Sequence, residues 1–231
     1  MIEKFGFPVV TSPESLAEVL ESLGLKLWPV TAPPAKLQEY MQEPLSEDQR
    51  TELRFAPEIL AKRYNTPDGK AYTAFTAQWK DWATVVVTNL SDAGLGRLIP
   101  FVAEYKHGRD KIVLVPPSGV ATKADLTELD PLKAAGQREL LEETGIRLRA
   151  IWKVSNPLSS SSRQTNQACT VYGAMAEDDA LWGKPNLDKT EFLKPFLIQE
   201  SAFWGLTAPG NLPEPYEFEL TTISAIALAL R

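Results

Sequence analysis

The segment DPLKAAGQRELLEETG, residues 130–145, constrains this chain more than any other stretch. Its ends predict a helix of defined length. Asp130 is placed as the N-cap, Pro131 suits the first helical position, and Gly145 falls just past the last turn. Inside it, Glu139, Glu142 and Glu143 are related by spacings of three and four, so they share one face. That end of a helix already carries the negative pole of the macrodipole, and stability alone favours Lys or Arg there. A local rule broken in this way points to function. Three carboxylates on one face repel each other unless a cation lies between them, and hard divalent cations take oxygen ligands. Arg138, four residues before Glu142, is spaced to pair with that carboxylate and orient it. A solvated acidic face is the competing reading.

The totals narrow the chemistry further. The chain has 231 residues, which suggests one large domain or one domain with an N-terminal addition. Its net charge of −6 argues against a broad nucleic-acid or anionic-membrane surface, so we expect neither partner. A single histidine, His107, and a single cysteine, Cys169, exclude a His-rich zinc site, a Cys/His cluster and an internal disulfide. Carboxylates must then carry most of any catalysis. One unpaired cysteine fits a reducing cytoplasm, and Cys169, within a strand pattern, reads as packing. The start MIEKFGFPVVTS lacks the pattern of a signal peptide, and no apolar run is long enough to span a bilayer.

Texture divides the chain into three parts. Residues 1–50 read as an N-terminal helical extension, with a helix over 12–24 capped by Ser12 and followed by a polar, Pro-interrupted connection. Residues 51–80 read as a β-hairpin arm turning at Pro67-Asp68-Gly69. Residues 81–231 read as the main domain. Its strands lie in WATVVVTNL, RLIPFVAEY, DKIVLVPPSG, IRLRAIWKVS, QACTVYGAMA and EFLKPFLIQ, and ELTTISAIALAL forms a C-terminal helix. The expected fold is α/β (α+β), a mixed sheet with helices on its faces.

The string RELLEETGI, residues 138–146, matches the core of the Nudix box, R-E-U-x-E-E-x-G-U, with Leu140 and Ile146 at the bulky aliphatic positions. The chain therefore resembles a Nudix hydrolase. That resemblance implies a Nudix-type mixed β-sheet sandwiched between helices, Mg²⁺ (or Mn²⁺) as cofactor, and cleavage of a diphosphate linkage. Glu139, Glu142 and Glu143 match the glutamates that bind the metals. Upstream the pattern departs. Counting back from Arg138 puts Asp130 at the box's earlier glutamate and Ala124 at its glycine, while Gly119 lies about five residues too far away. ATKADLTEL reads as an enlarged loop, and Asp130 or Glu128 is the candidate replacement for the displaced glutamate.

Over roughly residues 54–231 the chain is most similar to the ADP-ribose pyrophosphatase branch. EYKHG at 104–108 and VPPSG at 115–119 match two segments of that branch, with Lys106 where it usually carries arginine. The resemblance makes the backbone carbonyl of Ser118 a metal ligand. Lys106 and His107 are candidate substrate-binding residues, His107 as a phosphate contact or an acid, with a turn histidine hydrogen-bonded to backbone as its competing reading. The loop that matches Ser159 to Arg163 lies near substrate in that branch, which makes Arg163 a candidate contact to the terminal ribose or phosphates; the branch's S-P-G is absent here, and a flexible surface loop is the competing reading. The resemblance implies a homodimer formed through the N-terminal strands, where Trp79 or Trp82 can stack on a base. In that branch the general base is a carboxylate in the loop after the strand matching QACTVYGAMA: here Glu177, Asp178, Asp179, Asp188 and Glu191 qualify by type, and Glu191 is favoured. The expectation is a cytoplasmic, Mg²⁺-dependent pyrophosphatase that splits ADP-ribose or a related nucleotide sugar into AMP and a sugar phosphate. The alternatives are a Nudix hydrolase of dinucleoside polyphosphates or nucleoside triphosphates, and a non-catalytic nucleotide-sugar-binding sensor.

Overall fold

The computed structural model describes residues 1–27, 44, 46, 47, 57–65, 67–106, 109–159, 165–177, 185–187 and 192–231. In chain order these form β1 (Ile2–Lys4), β2 (Phe7–Val10), α1 (Pro13–Ser22), β3 (Glu58–Asn65), β4 (Ala71–Gln78), β5 (Trp82–Val87), β6 (Ser91–Asp92) and β7 (Gly96–Lys106). Then come β8 (Lys111–Val115), β9 (Ser118–Val120), a 3-10 turn (Asp125–Thr127), α2 (Pro131–Thr144), β10 (Leu148–Lys153) and β11 (Leu158–Ser159). The chain closes with β12 (Ala168–Ala176), β13 (Leu193–Gln199), α3 (Glu200–Leu206), β14 (Tyr216–Phe218) and α4 (Leu220–Ala229). The described residues fall into two compact units, one drawn from 1–27, 80–160 and 168–231, the other from 28–79 and 161–167.

The first unit holds two mixed sheets. One runs β1-β2-β13-β7-β8-β14, with β6 on β7, and the other runs β10-β12-β5-β9, with β11 on β12. The pairs β2–β13, β14–β8 and β12–β5 are parallel, while their neighbours are antiparallel. This mixed α+β arrangement is the fold class the sequence implies. The run WATVVV becomes a strand buried on both faces, which is why it reads as continuous apolar sequence. Ala83, Val85 and Val87 face one core cluster with Leu140 of α2, Ile146 and Tyr172. Val86 faces the other, with Leu16, Val19 and Leu20 of α1, Phe203 of α3 and Ile226 of α4.

Helix α2 is seated by close contact. A Cβ on Gly136 would come within 2.7 Å of Val85 Cγ2, so the glycine lets the helix lie directly on β5. Asp130 caps it by accepting the Lys133 N–H at 3.1 Å, Pro131 opens it, and Gly145 ends it at φ 72°, donating its N–H to the Leu141 carbonyl.

Residues 1–27 differ from a purely helical extension. Helix α1 forms with Ser12 and Ser15 in a capping box, but β1 and β2 precede it as a hairpin. Strand β2 enters the main sheet beside β13, and Phe7, Val9 and Val10 are core residues. DKIVLVPPSG is two strands, because Pro116 and Pro117 interrupt the ladder between β8 and β9. Helix α3 and strand β14 carry no distinct sequence signal.

The second unit contains the hairpin of β3 and β4, paired in register from Glu58↔Gln78 to Asn65↔Ala71. Its turn passes through Pro67-Asp68-Gly69, with Gly69 at φ 81°. Ile59, Ala61, Phe75 and Ala77 lie on one face, with Ile59 58% and Phe75 68% exposed. Among the described residues no helix is long and apolar enough to cross a membrane.

Candidate active site

The glutamates of α2 do not stand in solvent. Arg138 Nη1 donates to Glu142 Oε2 at 2.8 Å and to Glu139 Oε1 at 3.0 Å. One cationic nitrogen thus lies between two carboxylates near the negative end of the helix, and it offsets the repulsion that their spacing creates. Glu143 turns inward. It is only 5% exposed, and its Oε2 accepts the Ser118 N–H at 3.2 Å. Ser118 lies on β9, which pairs with β5 opposite Thr84, so the sheet fixes that segment against α2.

Gly119 explains how Glu139 reaches its place. A Cβ on Gly119 would sit 2.1 Å from Glu139 Oε1, 2.3 Å from its Cδ and 2.4 Å from its Cγ. The glutamate side chain therefore lies directly on the bare backbone of β9, a contact only glycine permits.

The other half of Arg138 is held by a residue that sequence reasoning passed over. Its Nε and Nη2 donate to Asp125 Oδ2 at 3.3 and 3.1 Å, and Nη2 also donates to the Val120 carbonyl at 3.1 Å. Asp125 is 6% exposed and accepts the Thr122 N–H and hydroxyl, each at 2.8 Å. Its own N–H reaches back to the Thr122 hydroxyl at 3.4 Å. The T-x-x-D spacing of this reciprocal pair, of the capping-box kind, was the legible signal. Burial works to raise the Asp125 carboxyl, but the Thr122 and Arg138 donors outweigh it and hold the group below the usual carboxylate range. Burial likewise works to lower the Arg138 guanidinium, and the surrounding carboxylates overcome it and raise it.

The two candidates for the displaced glutamate lie elsewhere. Asp130 is occupied by the Lys133 N–H and by the Tyr172 hydroxyl, at 2.9 Å to Oδ1, which ties the start of α2 to β12. Glu128 is exposed after the 3-10 turn. Of the acids at 125, 128 and 130, Asp125 is the one that bonds Arg138.

Lys106, at the end of β7, pairs with Glu104 at 2.6 Å. Trp82 stands at the start of β5, in register between Cys169 and Val120. It belongs to the first unit, and Trp79, 42% exposed, to the second. Burial pushes the Cys169 thiol up to about 12, the nearby Glu219 adds to this, and the group is an unreactive part of the core. Glu177 begins the loop after β12, and its N–H donates to the Arg147 carbonyl just beyond α2. Asn186, in that same loop, donates its N–H to the Glu142 carbonyl at 2.7 Å. Of these two contacts, the one made by Asn186 is to the last turn of α2. His107, Arg163, Asp178, Asp179, Asp188 and Glu191 lie outside the described residues.

The donor set suits a hard divalent cation. Glu139, Glu142, Glu143 and the Ser118 carbonyl offer only oxygen ligands, and Glu139 and Glu142 already converge on one cationic group. Among the described residues no three acidic, histidine or cysteine side chains meet around a single point at metal-binding distance.

No family model matches the chain, and no curated protein matches it. Solved structures do. One, described as the crystal structure of an ADP compounds hydrolase, aligns with 75% of this chain and 91% of its own length, at a TM-score of 0.52 and 16% sequence identity. At that identity the likeness shows a shared fold, the mixed α+β arrangement described above.

Proposed function

We propose that this protein is a divalent-cation-dependent Nudix pyrophosphatase that hydrolyses the diphosphate linkage of ADP-ribose or a related nucleotide sugar to AMP and a sugar phosphate. The observation that carries this reading is the gathering of Glu139 and Glu142 on Arg138, with Glu139 laid against the Gly119 backbone. The RELLEETGI string and a fold shared with an ADP compounds hydrolase support it.

Glu139, Glu142, Glu143 and the Ser118 carbonyl would hold Mg²⁺ or Mn²⁺, which supplies charge neutralisation at the diphosphate and a more acidic water. Arg138 orients Glu142. Lys106 and His107 are the candidates for substrate phosphate contacts, with Arg163 and Trp82 for the outer parts of the nucleotide. A carboxylate must accept the proton of the attacking water, and we assign that role to Glu191. Asn186, five residues before it in sequence, donates its N–H to the Glu142 carbonyl.

A second reading is a nucleotide-sugar sensor without turnover. The commitment of Asp130 to its helix cap and to Tyr172 favours it, since the box's earlier acid is then unavailable at that position. Incubation of the purified protein with Mg²⁺ and a panel of nucleoside diphosphate derivatives separates the readings. AMP release supports the enzyme, and tight binding of one ligand without any product supports the sensor. Hydrolysis confined to dinucleoside polyphosphates or triphosphates keeps the family and changes the substrate.

The protein acts as a homodimer in this reading. A two-stranded hairpin is marginal alone, and the β3–β4 hairpin presents Ile59 and Phe75 to solvent on one face. A second copy covering that face accounts for both. Light scattering at micromolar concentration should give twice the chain mass, and a monomer would refute the shared assembly.

A further inference from the structure

Resting on the cation-dependent reading above, the geometry points to Asp125 as the positioning residue that sets how tightly Glu139 and Glu142 take a divalent cation, by giving the Arg138 guanidinium a second seat. The guanidinium is divided between two sets of acceptors. Nη1 serves Glu139 and Glu142, while Nε and Nη2 serve Asp125 and the Val120 carbonyl. A metal ion and Nη1 compete for the same two carboxylates. A guanidinium has five donors in a rigid fork. When Nη1 gives way, this one keeps its bonds to Asp125 and Val120.

The seat itself is built into the fold. Asp125 is held by the Thr122 N–H and hydroxyl, at the start of the 3-10 turn, and is almost fully buried. Val120 is the last residue of β9, the strand that also carries Ser118 and Gly119. The enlarged loop 121–130 thus does more than lengthen the path into α2. It brings a carboxylate thirteen residues upstream of Arg138 back onto it.

Without Asp125, the guanidinium falls back on the two glutamates and competes harder with the ion. Mn²⁺ titration of the full-length protein, followed by the loss of the free-ion EPR signal, measures this directly. Wild type should bind Mn²⁺. Asp125→Asn should bind it roughly tenfold more weakly, because a charge-assisted bond that anchored the competitor is gone. Arg138→Gln, which removes the competitor, should bind Mn²⁺ at least as tightly as wild type while losing turnover. In that background Asp125→Asn should change Mn²⁺ affinity less than twofold. Thr122→Val, which keeps the Asp125 charge but loosens its seat, should shift affinity in the same direction as Asp125→Asn by a smaller factor, and it stands in for Asp125→Asn if that variant does not fold. Equal Mn²⁺ affinity in wild type, Asp125→Asn and Thr122→Val would overturn the role of Asp125. So would an undiminished loss in the Arg138→Gln background, which would mean that Asp125 acts by charge or through the fold and not through Arg138. If wild type itself fails to bind Mn²⁺ at millimolar concentration, the cation-dependent reading falls, and this proposal falls with it.

Discussion

Replacing Gly119 by alanine should damage the site far more than the fold. The new Cβ would lie 2.1 to 2.4 Å from three atoms of the Glu139 side chain, whereas relaxed carbon contacts need about 3.5–4.0 Å. The glutamate must therefore move by roughly 1.5 Å, and the atoms in the way include Cγ, so a small turn of the carboxylate alone is not enough. That shift takes Oε1 away from Arg138 Nη1 and out of register with Glu142. A misplacement of about 1 Å at a reacting centre can cost a hundredfold in rate, so kcat/KM for ADP-ribose should fall by about that factor. Stability should change little. The lost contact and an off-rotamer glutamate cost about 1–2 kcal/mol, and the reduced freedom of the unfolded chain returns about 0.4–1 kcal/mol. The melting temperature should then move by no more than about 6 °C. Gly136→Ala is the control. Its Cβ meets Val85 in the core, 2.7 Å away, so it should cost about 1–3 kcal/mol of stability, a larger loss than Gly119→Ala is expected to show. Steady-state AMP release and thermal unfolding on both variants decide the matter. A fully active Gly119→Ala protein would show that the placement of Glu139 on β9 is irrelevant to catalysis.

Two further outcomes follow from the same contacts. Glu142→Gln removes a charge from the negative end of α2, which gains about 0.3–1 kcal/mol, and weakens a half-exposed pair with Arg138, which loses under about 1 kcal/mol. Its melting temperature in EDTA should therefore stay close to wild type, while activity falls by orders of magnitude and the stabilisation by Mg²⁺ shrinks; equal Mg²⁺-induced shifts in both proteins would count against a ligand role. The depressed Asp125 carboxyl contributes stability that is fully present above its unfolded value, about 3.9, and is lost as pH falls through its lower folded value. Denaturant midpoints should thus drop below about pH 4 in wild type, and Asp125→Asn should be less stable by about 1.5–3 kcal/mol at pH 7 and show a shallower acid limb; parallel curves would refute the assignment.

Much of the fold was legible because its signals are local. Ser12, Asp130, Pro131 and Gly145 mark helix ends by capping chemistry, and all four do so in the structure. The β1–β2 hairpin was missed for a specific reason. Its turn uses Phe5 at φ 54° and Gly6 at φ 82°, and a phenylalanine in the left-handed region gives no turn signal. Strand β14 is three residues long and follows Pro213 and Pro215, so neither length nor alternation reveals it. At the site, the Arg138–Glu142 pair follows from helical spacing. The inward turn of Glu143 and the return of Asp125 to Arg138 depend on how β9 and the loop fold back, which is tertiary information that no spacing carries.

The most direct measurement is the fate of ADP-ribose incubated with the purified full-length protein, with and without Mg²⁺, resolved by chromatography. Stoichiometric AMP and ribose phosphate are expected with Mg²⁺, none in EDTA, and neither product in Glu142→Gln. Intact ADP-ribose after prolonged incubation with Mg²⁺ or Mn²⁺, or hydrolysis unchanged by EDTA or by Glu142→Gln, would contradict the pyrophosphatase reading.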